Sequence, residues 1–325
     1  MYSIRAEEIE AELSPLGAAV RSVKVPDRNG RMTEISLAVR DPDAGVSDPS
    51  LSGRIVAPCC GRVRDGEIRI DGQAFSLAKN EGRNHLHGGP SGASFRIWDC
   101  VRRDPDAVRF ELRLPNGLDG YPGDRILSVE YRVTGRQLAL SLSAVTNAVT
   151  WMGMTSHLYW DLSGRFDGTA LEQELEIRAD RVVFNDPSHL PVSVGPAGGP
   201  FDFSAPVRIL DRMKARPDHG QLAIGRGYNN AFLLRRPSPF AARLYAPSTG
   251  IRMTLRCDEE ALVFYSGGFL GNDTPLRNGH ACPGCAVALE AQPIPDPFHL
   301  PGARPVLLSP SERYTRTISW SFETL

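Results

Sequence analysis

Short runs of alternating apolar and polar residues, broken by glycine and proline, dominate this chain. In LSVEYRV (127–133), Leu127, Val129, Tyr131 and Val133 fall on one side and Ser128, Glu130 and Arg132 on the other. A period of two is that of an extended strand, whose successive side chains point to opposite faces. QLALSLSAV (137–145) repeats the pattern directly after Thr134, Gly135 and Arg136, which predicts two neighbouring half-buried strands joined by a tight turn. LEIRA (175–179) and IRMTLRC (251–257) read in the same way, and no long window has helical periodicity. With 31 glycines and 26 prolines supplying turns, the expected class is all-β, a large antiparallel sandwich or barrel.

The 325 residues could form two average domains or one large β domain. No internal repeat, low-complexity stretch or long linker marks a boundary, so a single domain over 1–325 is expected. The formal net charge of −1 provides no basic field to gather nucleic acid or an anionic membrane. The expected partner is a small molecule, with the chain acting as a monomer or homodimer. MYSIRAEEIEAELSP has neither the basic nor the apolar region of a signal peptide, and no stretch approaches the roughly 20 apolar residues of a membrane span. A soluble, cytoplasmic protein is expected.

Six cysteines include the adjacent Cys59 and Cys60 and a CPGC motif at 282–285. A structural zinc site needs four placed ligands, and no second C-x-x-C lies downstream to complete one. Inert thiols in a reducing compartment, with no metal and no cofactor, are the expectation.

Three polar islands interrupt the strand-like sequence. NEGRNHLHGG (80–89) places His85 and His87 two apart, on one face if the segment is extended, and Gly88 and Gly89 provide the turn that ends it. This H-x-H suits a metal, or a pocket histidine beside a structural one. TSHLYWDLSG (155–164) sets His157 among apolar and aromatic neighbours, where it is either a packed core residue or an acid-base group. AVALEAQPIPDP (286–297) ends an apolar run at Glu290, a carboxylate either paired with a cation or poised near a pocket. An imidazole and a carboxylate on opposite sides of one substrate would make an acid-base pair that needs no cofactor.

The islands also stand in a longer series: GAAVRSVKVPDRNG (17–30), GRVRDGEIRIDG (61–72), NHLHGG (84–89), GYPGD (120–124), TSHLYWDLSG, GYNNAF (227–232), VFYSGGFL (263–270) and LEAQPIPD (289–296). In this order and at these spacings the chain resembles the aldose 1-epimerase (galactose mutarotase) family over nearly its whole length. The resemblance implies a large antiparallel β-sandwich of the galactose mutarotase type, with a sugar-binding cleft across one face. It also implies His157 and Glu290 as catalytic acid and base, with Arg62, His87 and Asn229 contacting the sugar. Phe264 or Trp160 would face its apolar side. The implied activity is isomerisation: interconversion of the anomers of a hexose by ring opening.

The chain departs from the family pattern at three places. Asn229 stands where the family usually has an aspartate that grips sugar hydroxyls, and Gly61 and Gly268 stand where it often has asparagine. Loss of the aspartate, with Arg62 and Arg83 nearby, predicts a more positive cleft and a hexose with an acidic substituent, such as a uronate, 6-phospho or 6-sulfo sugar. Two other readings remain at this stage: a non-catalytic sugar binder on the same fold, and a glycoside hydrolase using Asp296 with Glu290.

Overall fold

The computed structural model describes residues 1–40, 48–271, 274–277 and 279–325. It is an all-β sandwich. A nine-stranded antiparallel sheet runs in the order Asp99–Arg103, Ala107–Leu114, Arg125–Thr134, Gln137–Thr146, Tyr314–Thr324, Ile251–Cys257, Ala242–Tyr245, Glu174–Ile177 and Val207–Arg208. A six-stranded sheet follows the order Tyr159–Trp160, Val287–Gln292, Ala261–Tyr265, Asn229–Leu234, Ala179–Asn185 and Pro191–Pro196. A four-stranded sheet of Tyr2–Ala6, Ile9–Ser14, Ala19–Pro26 and Met32–Glu34 adds to the same core.

The alternation seen in sequence accounts for this packing. Leu127, Val129, Tyr131 and Val133 are buried, whereas Arg132 on the opposite face reaches Glu130 at 3.1 Å. Thr134 pairs with Gln137 across the expected two-residue turn, whose Gly135 has φ of 56°. The layers meet through aromatic residues: Trp160 of the six-stranded sheet packs against Trp320 and Phe322 of the nine-stranded sheet, with centroids 5.8 Å apart in each pair.

One predicted strand divides. Within 175–179, Glu174–Ile177 belongs to the nine-stranded sheet, whereas Ala179 begins a strand of the six-stranded sheet. The chain changes layers at Arg178, a corner that a period-two reading has no means to detect. Among the described residues the α-helices are short, Ile209–Ala215 and Gly220–Gly225, and no helix is long and apolar enough to cross a membrane.

Candidate active site

One face of the six-stranded sheet forms the floor of a cleft of about 610 Å³. Strand register decides which residues line it. Ala231, Val263 and Glu290 sit in one cross-strand row, and Asn229 and Tyr265 sit opposite each other one row along. All five line the cleft. The intervening residues Asn230, Phe264 and Leu289 form the alternate row and turn the other way. Strand Val287–Gln292 is therefore buried on both faces, with Val287, Leu289 and Ala291 in the core and Glu290 and Gln292 under the cleft.

This alternation corrects one expectation. Phe264 does not meet the cleft; it is wholly buried in the core, stacked on Tyr228 with centroids 4.9 Å apart and edge-on to Phe203. Trp160 is likewise a core residue. The aromatic residues that do line the cleft are Tyr159, Tyr265, Phe95 and Phe269.

Two irregular segments supply the walls. His157 follows the short strand Thr155–Ser156, and its backbone N–H donates to Arg54 O while its carbonyl accepts from Gly53 N–H, both at 2.9 Å. Its Nε2 lies 3.8 Å from Glu290 Oε2. That is beyond hydrogen-bond distance, and both groups are buried. Neither His157 Nδ1 nor Glu290 Oε2 has a hydrogen-bond partner among the described residues. Burial raises the Glu290 carboxyl above its usual range, and the nearby His157 partly offsets this. The pair shares one edge of the cleft and does not face across it: 3.8 Å leaves no room for a sugar ring between them, but suits two oxygens bonded to one carbon.

Arg62 opens the short strand Arg62–Val63, and His87 directly follows its partner strand His85–Leu86. His87 adopts φ of 51°, so the segment leaves the extended conformation there and the two histidines part. The His85 side chain goes into the core, where Nδ1–H donates to Ala78 O at 2.6 Å and Nε2 accepts from Tyr121 O–H at 2.8 Å. His87 enters the cleft edge-on to His157, with centroids 5.5 Å apart. Its Nδ1 accepts from Gly61 N–H at 3.2 Å, leaving Nε2–H as a donor. Burial, then the neighbouring His157 and Arg62, hold this imidazole well below the usual histidine range, so it is neutral. The expected turn follows: Gly88 has φ of 80°, and a Cβ there would lie 2.1 Å from Ala57 O.

Arg62 forms a two-pronged ion pair with Glu81, both contacts at 2.6 Å. Glu81 was not singled out from the sequence, although it lies in the same polar island. Tyr159 was also missed; it stands two residues beyond His157, and that spacing is the signal for a shared side of an extended segment. His189 lines the cleft from a turn closed by Asp186, whose side chain accepts from Leu190 N–H. No periodicity marks it in the sequence.

Arg83 and Asp296 do not join the site. Arg83 is 77% exposed, paired with Asp65. Asp296 is buried in its loop, accepting from Arg64 N–H at 3.1 Å and bonded to His299 Nδ1 at 2.7 Å. Among the described residues no group of three or more histidine, cysteine, aspartate or glutamate side chains is arranged to hold a metal ion.

Comparison with known proteins agrees with this fold. The family model described as aldose 1-epimerase matches residues 1–321. A galactose mutarotase from Bos taurus is 26% identical over 326 residues, covering 99% of this chain and 93% of that protein. An aldose 1-epimerase from Escherichia coli is 28% identical over 315 residues, covering 94% and 90%. The crystal structure of an aldose epimerase homologue from C. elegans superimposes with a TM-score of 0.91 at 25% identity, covering 100% of this chain and 98% of that one. That of a galactose 1-epimerase from Lactobacillus acidophilus gives 0.86 at 26% identity, covering 99% and 93%. The chain belongs to the aldose 1-epimerase family, isomerases that act on carbohydrates.

Proposed function

We propose that the chain, as one domain over 1–325, interconverts the α and β anomers of a neutral hexose, with Glu290 as base and His157 as acid. The observation that carries this reading is the 3.8 Å separation of Glu290 Oε2 and His157 Nε2 within the cleft. The anomeric carbon bears two oxygens, the hydroxyl and the ring oxygen. Glu290 takes the hydroxyl proton while His157, in its protonated form, gives one to the ring oxygen. The bond from C1 to the ring oxygen breaks, leaving an open-chain aldehyde and a free hydroxyl on C5. Rotation about C1–C2 presents the other face of the carbonyl. Closure returns the C5 hydroxyl proton to His157 and the Glu290 proton to O1. Each such transfer typically contributes about 10² to 10⁴ in rate. In this reading His87 Nε2–H and Asn229 hold the hydroxyls, and Arg62, bonded to Glu81 through Nε and Nη2, contributes only the N–H groups that this ion pair leaves over.

Glycoside hydrolysis fits less well, because it calls for two carboxylates flanking the bond. Asp296, the candidate partner, is committed to His299 and Arg64 outside the cleft. A pure sugar binder has no use for a buried carboxylate oxygen and imidazole nitrogen, Glu290 Oε2 and His157 Nδ1, that no described residue partners. The test is anomer exchange, followed by NMR or polarimetry over a panel of hexoses. Binding without accelerated exchange would favour the binder; cleavage of a disaccharide would favour the hydrolase.

A further inference from the structure

The CPGC motif at 282–285 takes no part in the proton transfers, yet its backbone gives it a defined shape. Cys285 N–H donates to Cys282 O at 3.0 Å, which closes a four-residue turn. Pro283 holds a negative φ at the second position and Gly284 has φ of 73° at the third, so the turn is of type II. A β-turn brings its end α-carbons to within about 7 Å, and a disulfide spans roughly 4.4–6.8 Å. Both thiols are free. Burial pushes the Cys285 thiol up to about 12; a hydrogen bond with the Cys282 backbone opposes this, and the Cys282 thiol, within hydrogen-bonding reach, adds to it.

The two cysteines differ in access and in what they touch. Cys282 is half-buried and meets solvent, so a reagent reaches it first, whereas Cys285 is wholly buried. Cys285 shares an apolar cluster with Tyr159 and Tyr265. Tyr159 carries the imidazole of His157 on its ring at 4.9 Å, and Tyr265 packs edge-on to Tyr159 at 6.1 Å. The turn is also tied to the loop that follows Tyr265: Gly284 N–H donates to Gly267 O at 3.2 Å, and a Cβ on Gly267 would lie 2.4 Å from Ala286 O. Drawing the Cys285 side chain out of this cluster therefore disturbs the support of His157.

We propose that Cys282 and Cys285 form a thiol modification site that hydrogen peroxide closes to a disulfide, and that closure lowers turnover by loosening Tyr159 beside His157. The link to turnover rests on the epimerase reading; the bond itself does not. Cys282, as thiolate, attacks one oxygen of the peroxide: an S–O bond forms, the O–O bond breaks, and the departing hydroxide is protonated to water. Cys285 then attacks the sulfur of this sulfenic acid. The S–S bond forms, the S–O bond breaks, and the second hydroxide leaves as water with the Cys285 proton. Two thiols are oxidised to one disulfide and one peroxide is reduced to two waters.

The test exposes the wild type, Cys282→Ser and Cys285→Ser to graded hydrogen peroxide, with peptide mass mapping and anomer exchange measured on the same samples. In the wild type the peptide holding both cysteines is expected to lose two hydrogens while kcat falls roughly tenfold, the size of a misplaced catalytic group. Dithiothreitol should reverse both. Cys282→Ser should keep its untreated kcat under peroxide, and Cys285→Ser, which lacks the second thiol, should leave Cys282 as a sulfenic acid that dimedone traps. Thiols at 282 and 285 that stay intact after Cys100 and Cys257 have reacted overturn the site. A disulfide formed with kcat unchanged, or an equal loss of kcat in Cys282→Ser, overturns its link to turnover. Absence of exchange in the untreated wild type overturns the epimerase reading and that link together, while the mass map still decides the site.

Discussion

The imidazole of His157 lies on the ring of Tyr159, with centroids 4.9 Å apart and planes inclined by 26°. A catalytic histidine is commonly oriented by a hydrogen bond at its second nitrogen. Here Nδ1 has none among the described residues, and ring packing takes over that task. Tyr159 is itself anchored, donating its O–H to Ser50 O at 3.2 Å. Tyr159→Ala is expected to lower kcat by roughly 10- to 100-fold, as a misplaced catalytic group does, with KM little changed. Tyr159→Phe, which keeps the ring, should retain most of the rate. Wild-type kcat in Tyr159→Ala would show that stacking does not orient the acid.

If Glu290 and His157 transfer the protons as proposed, removing either should cost far more than removing a binding contact. Glu290→Gln and His157→Asn are each expected to lower kcat by roughly 10² or more. Glu290→Gln should at the same time stabilise the fold. Burial raises the native pKa of Glu290 above its unfolded value, so above about pH 4.3 the native state holds the proton more tightly than the unfolded chain. Between that pH and the raised native pKa, stability falls as pH rises. Thermal melts should therefore place Glu290→Gln above the wild type at pH 7, with the gap closing as pH drops towards 4. A lower melting temperature at pH 7 contradicts a carboxyl whose charged form burial disfavours.

The same shift sets the acid side of the activity profile. Glu290 must be ionised to act as base, so kcat/KM should fall as pH drops through its raised pKa, above the ordinary carboxylate value of about 4.3. His157 is the neighbour that opposes the rise. In His157→Asn the carboxyl should therefore titrate higher still, as read by ¹³C NMR. An acid limb at or below pH 4 would mean that another group serves as base.

His85 should matter for stability more than for turnover. Its two ring nitrogens bond Ala78 O and Tyr121 O–H inside the core, and burial pushes its pKa down to about 4. The unfolded chain takes up this proton near pH 6.5. Between 6.5 and 4 the unfolded state binds more protons than the native one, so stability is lost as pH falls through that window. Replacing His85 with Phe should cost about 1–3 kcal/mol at pH 7 by orphaning both partners, and should flatten the acid dependence. Urea titrations at pH 7 and 5 that run parallel for the two proteins would exclude this role.

What could be read in advance follows from which forces leave a local trace. The strands at 127–133 and 137–145 were legible because one face is buried and the other solvated, so each residue reports its side. Glu290 and His157 were legible as polar breaks in apolar runs. Phe264 was misplaced because strand Ala261–Tyr265 is apolar on both faces, and without alternation only the register against Leu289 and Asn230 says which way a side chain points. Glu81 and His189 owe their places to contacts across the fold, with Arg62 and Phe269, and such contacts leave no local pattern.

The Arg62–Glu81 pair argues against an acidic sugar in the cleft. Asn229 in place of the family aspartate implied a positive pocket and an acidic sugar, but the described lining holds three carboxylates, Asp48, Glu81 and Glu290, against the one guanidinium of Arg62. Asp48 is paired with Arg54 at 3.6 Å, and both prongs of Arg62 are spent on Glu81. An anionic substituent would lose its hydration beside carboxylates and find no free guanidinium to replace it. The wild type is therefore expected to turn over neutral hexoses with higher kcat/KM than hexuronates or 6-phosphohexoses. Glu81→Gln removes one negative charge and leaves Arg62 free to grip an anion with two hydrogen bonds, so it should raise the acid-to-neutral ratio of kcat/KM by roughly tenfold. Asn229→Asp adds a negative charge and should lower it. A wild type that prefers hexuronates, or a ratio that Glu81→Gln does not raise, would mean that the ion pair opens to receive the substrate and that Arg62 is available after all.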